Sequence, residues 1–392
     1  MAEEKQGVLV TKDLRPAYYD DFHCLAAGCK LSCCKGWNIT FNKKDYLSIK
    51  RQNGSDELNA KLESGVRRLR KGSLAEQFYG EFDMSSGVCP FLGEDSLCTL
   101  QVEKGHSALP YVCRSYPRGE AYMMSGYLER SLSPSCEGVL KLLWDLPDGI
   151  EFRSDPLPKT EHKRVTPNTE NPMSLWFPVV REWCIDLLQD RRFPLPQRIF
   201  LMGLGLKELA DGEKDIDRWM ERAVLLPETA EVSSLLSSGS QELAMYLSDC
   251  VRTLMGILTS DQELAAIRQK LMDDLKLEPN LEEGKLTIPF APYQDAKKRW
   301  ESVFSEQKFF MENLMVCIFF HLHMPHMSDP ETLWKSYVNF CNLYAIYHFL
   351  AVMSCREGIV DNQEELFRLL VFASRSLIHN GQRQSQLRDE FF

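Results

Sequence analysis

Eight of the chain's thirteen cysteines, Cys24, Cys29, Cys33, Cys34, Cys89, Cys98, Cys113 and Cys136, fall within the first 140 residues. This clustering limits the fold more than any other feature. Four of them occur in eleven residues, inside FHCLAAGCKLSCCKGW at 22–37, a density that favours metal ligands over the alternative of small buried apolar thiols. The chain opens with the acidic MAEEKQ and shows no basic stretch followed by an apolar run, so no secretory leader is expected. A cytoplasmic, reducing setting follows as the expectation, and there clustered thiols serve as metal ligands or catalytic groups rather than disulfides.

Composition narrows the class further. With 46 Lys+Arg against 56 Asp+Glu the formal charge is −10, which argues against a general nucleic-acid binder with a basic face for phosphates. A hydrophobic fraction of 44% supports real cores and rules out a mainly disordered chain. The most apolar segments, 314–322 and 337–353, are interrupted by His321, Asn339, Asn342 and His348. They fall short of the roughly 18 clean apolar residues of a spanning helix, so no membrane partner is expected.

Residues 153–172 carry Pro156, Pro158, Pro167 and Pro172 among polar groups, and proline removes donors and restricts its predecessor. The chain therefore reads as a cysteine-rich metal-cluster domain over 1–152, a linker over 153–172 and an all-helical domain over 173–392. The fold class is α+β, mainly α. Helical stripes run through 175–188, 242–258, 262–275, 294–321, 332–353 and 362–379, the last with Leu366, Leu369, Leu370, Ala373 and Leu377 in register. Asn362 with Glu365 reads as its capping box and Gly381 as its stop. In the first domain Leu58, Leu62, Val66 and Leu69 suggest one helix, ended by the basic run Arg67, Arg68, Arg70 and Lys71, while 7–10 and 120–132 read as extended.

On a helix Cys29 and Cys33, at i and i+4, share a face, and Cys24 joins from the preceding turn. Cys33 and Cys34 diverge in any regular structure. CPFLGEDSLC at 89–98, CRSYPR at 113–118 and SPSC ending at Cys136 read as loop-borne thiols folding back on the first cluster. Eight candidates exceed the four required by one tetrahedral zinc or one 4Fe-4S cluster. Either two centres form or several thiols lie outside the coordination sphere. The spacing matches neither the C-x2-C knuckles of zinc ribbons nor the C-x3-C-x2-C of radical S-adenosylmethionine enzymes, and leaves zinc and iron-sulfur open.

The chain resembles the flagellin lysine-N-methylases, within the wider CxxxCxxCC group of zinc- or iron-chelating proteins. The resemblance rests on Cys24, Cys29, Cys33 and Cys34 followed by Gly36-Trp37, on Cys89-Pro90-Phe91-Leu92 with Cys98, on Cys113 to Arg118, on Ser135-Cys136, and more weakly on ENLMVCIFFHL and SLIHN. Both gaps in the first cluster are one residue longer than in the group's name. The resemblance implies a 4Fe-4S cluster, with zinc as the alternative, and methyl transfer from S-adenosylmethionine to lysine ε-amines of flagellin or another lysine-bearing protein.

The residues support part of that chemistry. A lysine with an ordinary pKa near 10.4 must lose its proton before it attacks a sulfonium, and a hydrogen-bonding phenol helps. Tyr116 is the catalytic candidate, and Arg114 and Arg118 can grip the donor's carboxylate. No nucleotide fingerprint accompanies them: Gly203-Leu204-Gly205 lies in a helical stripe and reads as a packing feature. His321, His323 and His326 do not share a helical face and read as a helix C-terminus. His348 and His379 read as core histidines, and Cys184, Cys250, Cys317, Cys341 and Cys355 as core thiols. Two other functions fit the same residues: a non-catalytic zinc-binding interaction module, and an iron-sulfur redox or electron-transfer protein.

Overall fold

The computed structural model describes residues 7–69, 78–123, 125–166, 173–229, 290–356 and 360–379, with short pieces at 269, 279–280 and 285–286. The first part of the chain is built of short elements. In order they are β1 (Val8–Val10), β2 (Lys12–Pro16), β3 (Thr40–Phe41), α1 (Lys43–Lys50), α2 (Asp56–Ser64), β4 (Val66–Arg68), β5 (Gly80–Phe82), α3 (Thr99–Lys104), α4 (Tyr111–Ser115), β6 (Arg118–Tyr122), β7 (Tyr127–Leu132), α5 (Glu137–Trp144), β8 (Phe152–Arg153) and β9 (Lys163–Val165). Longer helices dominate the rest: α6 (Met173–Leu188), α7 (Leu195–Ala210), α8 (Ile216–Leu225), the two-residue strands β10 (Pro279–Asn280) and β11 (Lys285–Leu286), then α9 (Phe290–Val303), α10 (Phe310–His321), α11 (Pro330–Arg356) and α12 (Gln363–Ile378). The fold is α+β and mainly α.

Four strands form one sheet in the order β6-β7-β2-β8, and β3-β5-β4 form a second. The 120–132 segment is a hairpin, with Arg118 opposite Leu132 and Tyr122 opposite Leu128. Val66 and Leu69 leave the expected helix. Ser55 caps α2 by accepting from the Leu58 amide, the helix ends at Ser64, and β-branched Val66 opens β4. Arg67 and Arg68 therefore lie on a strand paired with β5 rather than at a helix end; Arg70 and Lys71 lie outside the described residues. The 294–321 stripe is two helices separated by a 3-10 turn at Ser305–Gln307. The stripes at 242–258 and 262–275 lie outside the described residues.

Two apolar cores organise these elements. The smaller gathers Ile39, Phe41, Ile49, Leu58, Phe82, Phe91 and Leu100. The larger joins Phe22, Leu132, Val139 and Leu140 to the inner faces of α6, α7, α10, α11 and α12, so residues on both sides of 153–172 share it. Within 153–166 the chain adds β8 beside β2 and β9 beside β1, around a 3-10 turn at Lys159–Glu161. By length and composition Pro330–Cys355 is enough to cross a membrane, contrary to the expectation from its polar interruptions, but 72% of its apolar 18-residue window is buried inside the protein. It packs against α9, α7 and α12 as the central core helix.

The two glycines at 203 and 205 serve helix packing, as their place in a helical stripe suggests. A Cβ on Gly203 would stand 2.2 Å from the Tyr337 hydroxyl, and one on Gly205 would stand 2.5 Å from the Trp183 ring. We expect Gly203→Ala to lower unfolding free energy by about 1–3 kcal/mol in denaturant titrations, the usual cost of overpacking, with most of it restored when Tyr337 is also made Leu.

His348 of α11 sits between Tyr293, 3.3 Å from its Nδ1, and the Tyr344 ring. Burial pushes its pKa down to about 4, with Lys297 adding to the effect. The folded state thus resists protonation that the unfolded chain accepts near 6.5. This contribution is complete above pH 6.5 and is lost as pH falls toward 4. Stability should drop by on the order of 2 kcal/mol over that window through this residue, and a His348→Gln variant should show a shallower acid slope in urea titrations.

Candidate metal centre

The loop from Cys24 to Trp37 is not helical. It makes a single 3-10 turn at Ala26–Gly28 and then irregular turns. The Ser32 hydroxyl accepts from the Cys34 amide at 3.2 Å, a local bond that competes with helix, and Gly36 takes φ +80°, which favours glycine. The chain doubles back so that Trp37 Nε1 donates to the Cys33 carbonyl at 2.6 Å. Cys29 and Cys33 consequently do not present a common helical face.

Neighbouring elements bring the distant thiols in. The Cys89 amide donates to the Cys34 carbonyl at 2.8 Å, and Gly93 N to Leu97 O at 2.8 Å closes the 89–98 loop, leaving Cys98 at the head of α3. Asn42 caps α1 by accepting from the Asp45 amide at 2.9 Å, and Asp45 in turn accepts from the Tyr111 amide at 3.0 Å. That second bond pins the start of α4, which carries Cys113. Cys34, Cys98 and Cys113 all pack against the smaller core, in which Cys89 is buried.

The eight candidate cysteines fall into two neighbourhoods. Cys33, Cys34, Cys89, Cys98 and Cys113 form one: Cys34 takes hydrogen bonds from the Cys33 and Cys89 thiols and interacts electrostatically with Cys98 and Cys113. Those two thiol bonds pull the Cys34 pKa down, while Cys33 and Cys89 are held protonated. Burial pushes Cys98 and Cys113 up. Cys24, Cys29 and Cys136 form the other. Cys29 donates to Glu137 at 3.4 Å and is pushed up to about 12, by burial first and the Glu137 charge second; burial also raises Cys136, which lies near Cys24.

All twelve described cysteines are free thiols. Among the described residues no three Cys, His, Asp or Glu side chains already stand as a coordination sphere. The donor chemistry nonetheless fits a thiophilic cation. Desolvation holds these thiols up, and a bound cation is what makes several adjacent buried thiolates affordable.

Tyr116, Arg114 and Arg118 diverge. Tyr116 is largely buried; its hydroxyl donates to the Ser135 carbonyl at 2.7 Å and lies 3.0 Å from the Ser135 hydroxyl, and desolvation raises its pKa. Its ring stands 5.6 Å from Trp37 and 6.2 Å from His379. Arg114 turns to Asp45, 4.0 Å away, and to the Ser107 carbonyl. Arg118 stacks over Phe22 and donates to its carbonyl at 3.3 Å.

Sequence reasoning missed two participants. His379, expected in the core, reaches the surface at the end of α12, while its imidazole turns inward, 5.5 Å from Trp37 by ring centroids and 2.7 Å from the Ser135 hydroxyl; desolvation of that imidazole, then the Arg375 charge, lowers its pKa to about 4. Arg375, buried on α12, donates to the Leu31 and Lys35 carbonyls at 2.7 and 3.2 Å. The signal available was their i, i+4 spacing, a basic pair on one face of a helix otherwise read as apolar. His321, by contrast, closes α10 and contacts Ser131 at 2.9 Å, and His323 contacts Glu129 at 3.1 Å.

A cysteine-rich domain that gathers thiols from separate segments, joined to a helical domain that reaches into its loop, defines a protein of the metal-chelating class. Residues 23–130 match the zinc- or iron-chelating domain CxxCxxCC, and residues 181–392 match the FliB lysine N-methylase C-terminal domain. The chain belongs to the FliB lysine N-methylase family. It is 32% identical over 140 residues to the lysine-N-methylases of Salmonella choleraesuis and Salmonella typhimurium, covering 34% of this chain and 33% of each of those proteins. The same identity and length relate it to the flagellar biosynthetic protein FliU of Salmonella muenchen, of which 78% is covered. The matched segment thus spans about a third of the length of the two lysine-N-methylases. No solved structure matches the chain.

The two neighbourhoods predict unequal roles. Cys34→Ser or Cys89→Ser should abolish tight binding of zinc or iron to reduced protein. Cys24→Ser, at an exposed thiol that accepts from the Ala26 amide at 3.5 Å and lies near Cys136 rather than Cys34, should retain most of it. Metal content after gel filtration under anaerobic conditions decides; equal loss in all three contradicts the grouping.

Proposed function

We propose that this chain is a protein-lysine N-methyltransferase that moves the methyl group of S-adenosylmethionine onto lysine ε-amines of flagellin or a similar protein, in the cytoplasm. The observation that carries this reading is the join between the two matched domains: the Cys33–Cys34 loop lies against Arg375, and Trp37 lies against His379, both in the methylase-type helical half. Relatives bearing the name lysine-N-methylase support the activity, and the flagellar name of a third supports the partner.

Cys33, Cys34, Cys89, Cys98 and Cys113 are the residues we assign to hold the metal, a 4Fe-4S cluster or zinc. When bound, such a centre would neutralise most of the charge of the thiolates that hold it and, if it is iron-sulfur, would supply an electron-transfer capacity. The chain's own groups do the rest. Trp37, Tyr116 and His379 offer aromatic faces to a cationic sulfonium or ammonium. His379, neutral at physiological pH, is linked through the Ser135 hydroxyl to Tyr116 and provides a route for the lysine proton. Arg118, exposed beside Phe22, is the guanidinium we assign to the donor's carboxylate.

Anaerobically purified protein should be analysed for iron, acid-labile sulfide and zinc, then incubated with labelled S-adenosylmethionine and flagellin. Label in flagellin lysines is expected, and its absence from a metal-loaded sample overturns the methylase reading in favour of an interaction or redox module. Tyr116→Phe should lower transfer about a hundredfold or more at unchanged metal content. Equal transfer would make the phenol a packing group.

A further inference from the structure

α12 grips the cysteine loop at three points. Glu364, at its first turn, pairs with Lys30. Arg375 on its final turns is buried, 6% exposed, and spends two guanidinium nitrogens on the backbone carbonyls of Leu31 and Lys35. His379, just past its end, packs on Trp37. Leu31 and Lys35 bracket Cys33 and Cys34, so a single rigid fork holds both ends of the segment that carries the adjacent thiols. The Arg375 Nε is also buried and lacks a hydrogen-bond partner, an arrangement that leaves donor capacity and a full positive charge next to a thiol group.

From this geometry we infer that Arg375 is a positioning residue for the metal centre, one that couples occupancy of the Cys33–Cys34 loop to the docking of α12. The inference rests on the thiolate centre assigned in the preceding section. A guanidinium suits the task because it cannot be deprotonated in a protein and because its planar fork meets two carbonyls at once. A lysine ammonium can reach two carbonyls, as Lys50 does with Leu62 and Glu63, but its flexible stem lacks the planar fork that fixes both at once. Metal binding organises the loop, the organised loop presents its carbonyls to the fork, and α12 is thereby held; by linkage, α12 docked through Arg375 raises the loop's affinity for metal.

The test uses full-length protein, reduced and stripped of metal, titrated anaerobically with cobalt(II) as the probe and followed by its thiolate charge-transfer absorption. Hydrogen exchange is measured on the same samples with and without saturating zinc(II). The parent should show thiolate bands, and zinc(II) should slow exchange over both 29–37 and 363–379. Arg375→Gln should bind cobalt(II) about tenfold or more weakly, and at saturation should keep the slowing over 29–37 while losing it over 363–379. Glu364→Gln, which removes only the exposed Lys30 pair, should bind as the parent does. Should the glutamine variant not fold, Arg375→Lys takes its place with the same expected loss. A parent without thiolate bands sinks the metal-centre reading itself. A parent with them, beside an Arg375 variant that binds cobalt(II) within threefold of it or still shows zinc(II) protection over 363–379, overturns the role of Arg375 alone.

Discussion

Arg181 of α6 donates to Glu129 of β7 at 2.9 Å with both side chains withdrawn from water. It also donates to the Met324 and Phe320 carbonyls at 2.6 and 3.0 Å and lies over the Phe320 ring at 4.7 Å. Desolvation lowers the Arg181 pKa and the Glu129 charge only partly offsets this. Such a pair adds little net stability relative to apolar packing, yet removing either partner strands the other at a cost of about 3–5 kcal/mol. Its consequence is positional. β7 can lie against α6 and α10 in one register only, and β7 dictates where β6 runs beside it. Tyr116 precedes β6 and Ser133 to Cys136 follow β7, so the pair fixes both sides of the aromatic cluster from a distance.

The thiols pose the opposite problem. Buried carboxylate and guanidinium neutralise each other, whereas the five thiols that include Cys34 meet only scattered positive charge among the described residues: Arg375 favours the thiolate at Cys33 and Cys34, and Lys61 does so at Cys98. The described structure answers by keeping protons on most of them. Desolvation dominates at Cys98 and Cys113, and thiol-to-thiol hydrogen bonding concentrates negative character on Cys34. A metal cation exchanges those protons for coordinate bonds, which ties metal affinity to pH and metal occupancy to folding of the loop.

What was legible in the sequence was chemistry carried by residue type. The cysteine clustering pointed to the chelating class that residues 23–130 match, Asn362 capped the final helix by accepting from the Glu365 amide, and two closely spaced glycines inside α7 marked tight helix contacts. What was not legible depended on tertiary partners. Arg114 and Arg118 flank Tyr116 in sequence, but the partners that position them, Asp45 for Arg114 and Phe22 for Arg118, come from elsewhere in the chain. The helical spacing of Cys29 and Cys33 lost to the Ser32 hydroxyl and to Gly36, both of which favour turns. The polar interruptions in α11, which argued against a long apolar helix, are accommodated inside the core: His348 lies against Tyr293, and Asn342 is fully buried.

Arg375 shows most clearly why spacing alone was insufficient. Its positive charge is spent on the carbonyls of residues more than three hundred positions away in sequence, and nothing local to α12 requires it. The segment matched to the chelating domain ends at residue 130, and the segment matched to the methylase domain begins at residue 181. The contacts that complete the site cross that division: Arg375 to Leu31 and Lys35, His379 to Trp37. Ser135, which lies between the two matched segments, bridges them, taking the Tyr116 hydroxyl on one side and meeting His379 on the other. A cysteine-rich domain cut at its family boundary would keep Cys24 to Cys113 and lose Cys136, the Arg375 cation and the His379 imidazole. The thiol loop and the aromatic cluster therefore meet at the junction, and the larger apolar core shared by α5, α10 and α12 is what holds that junction closed.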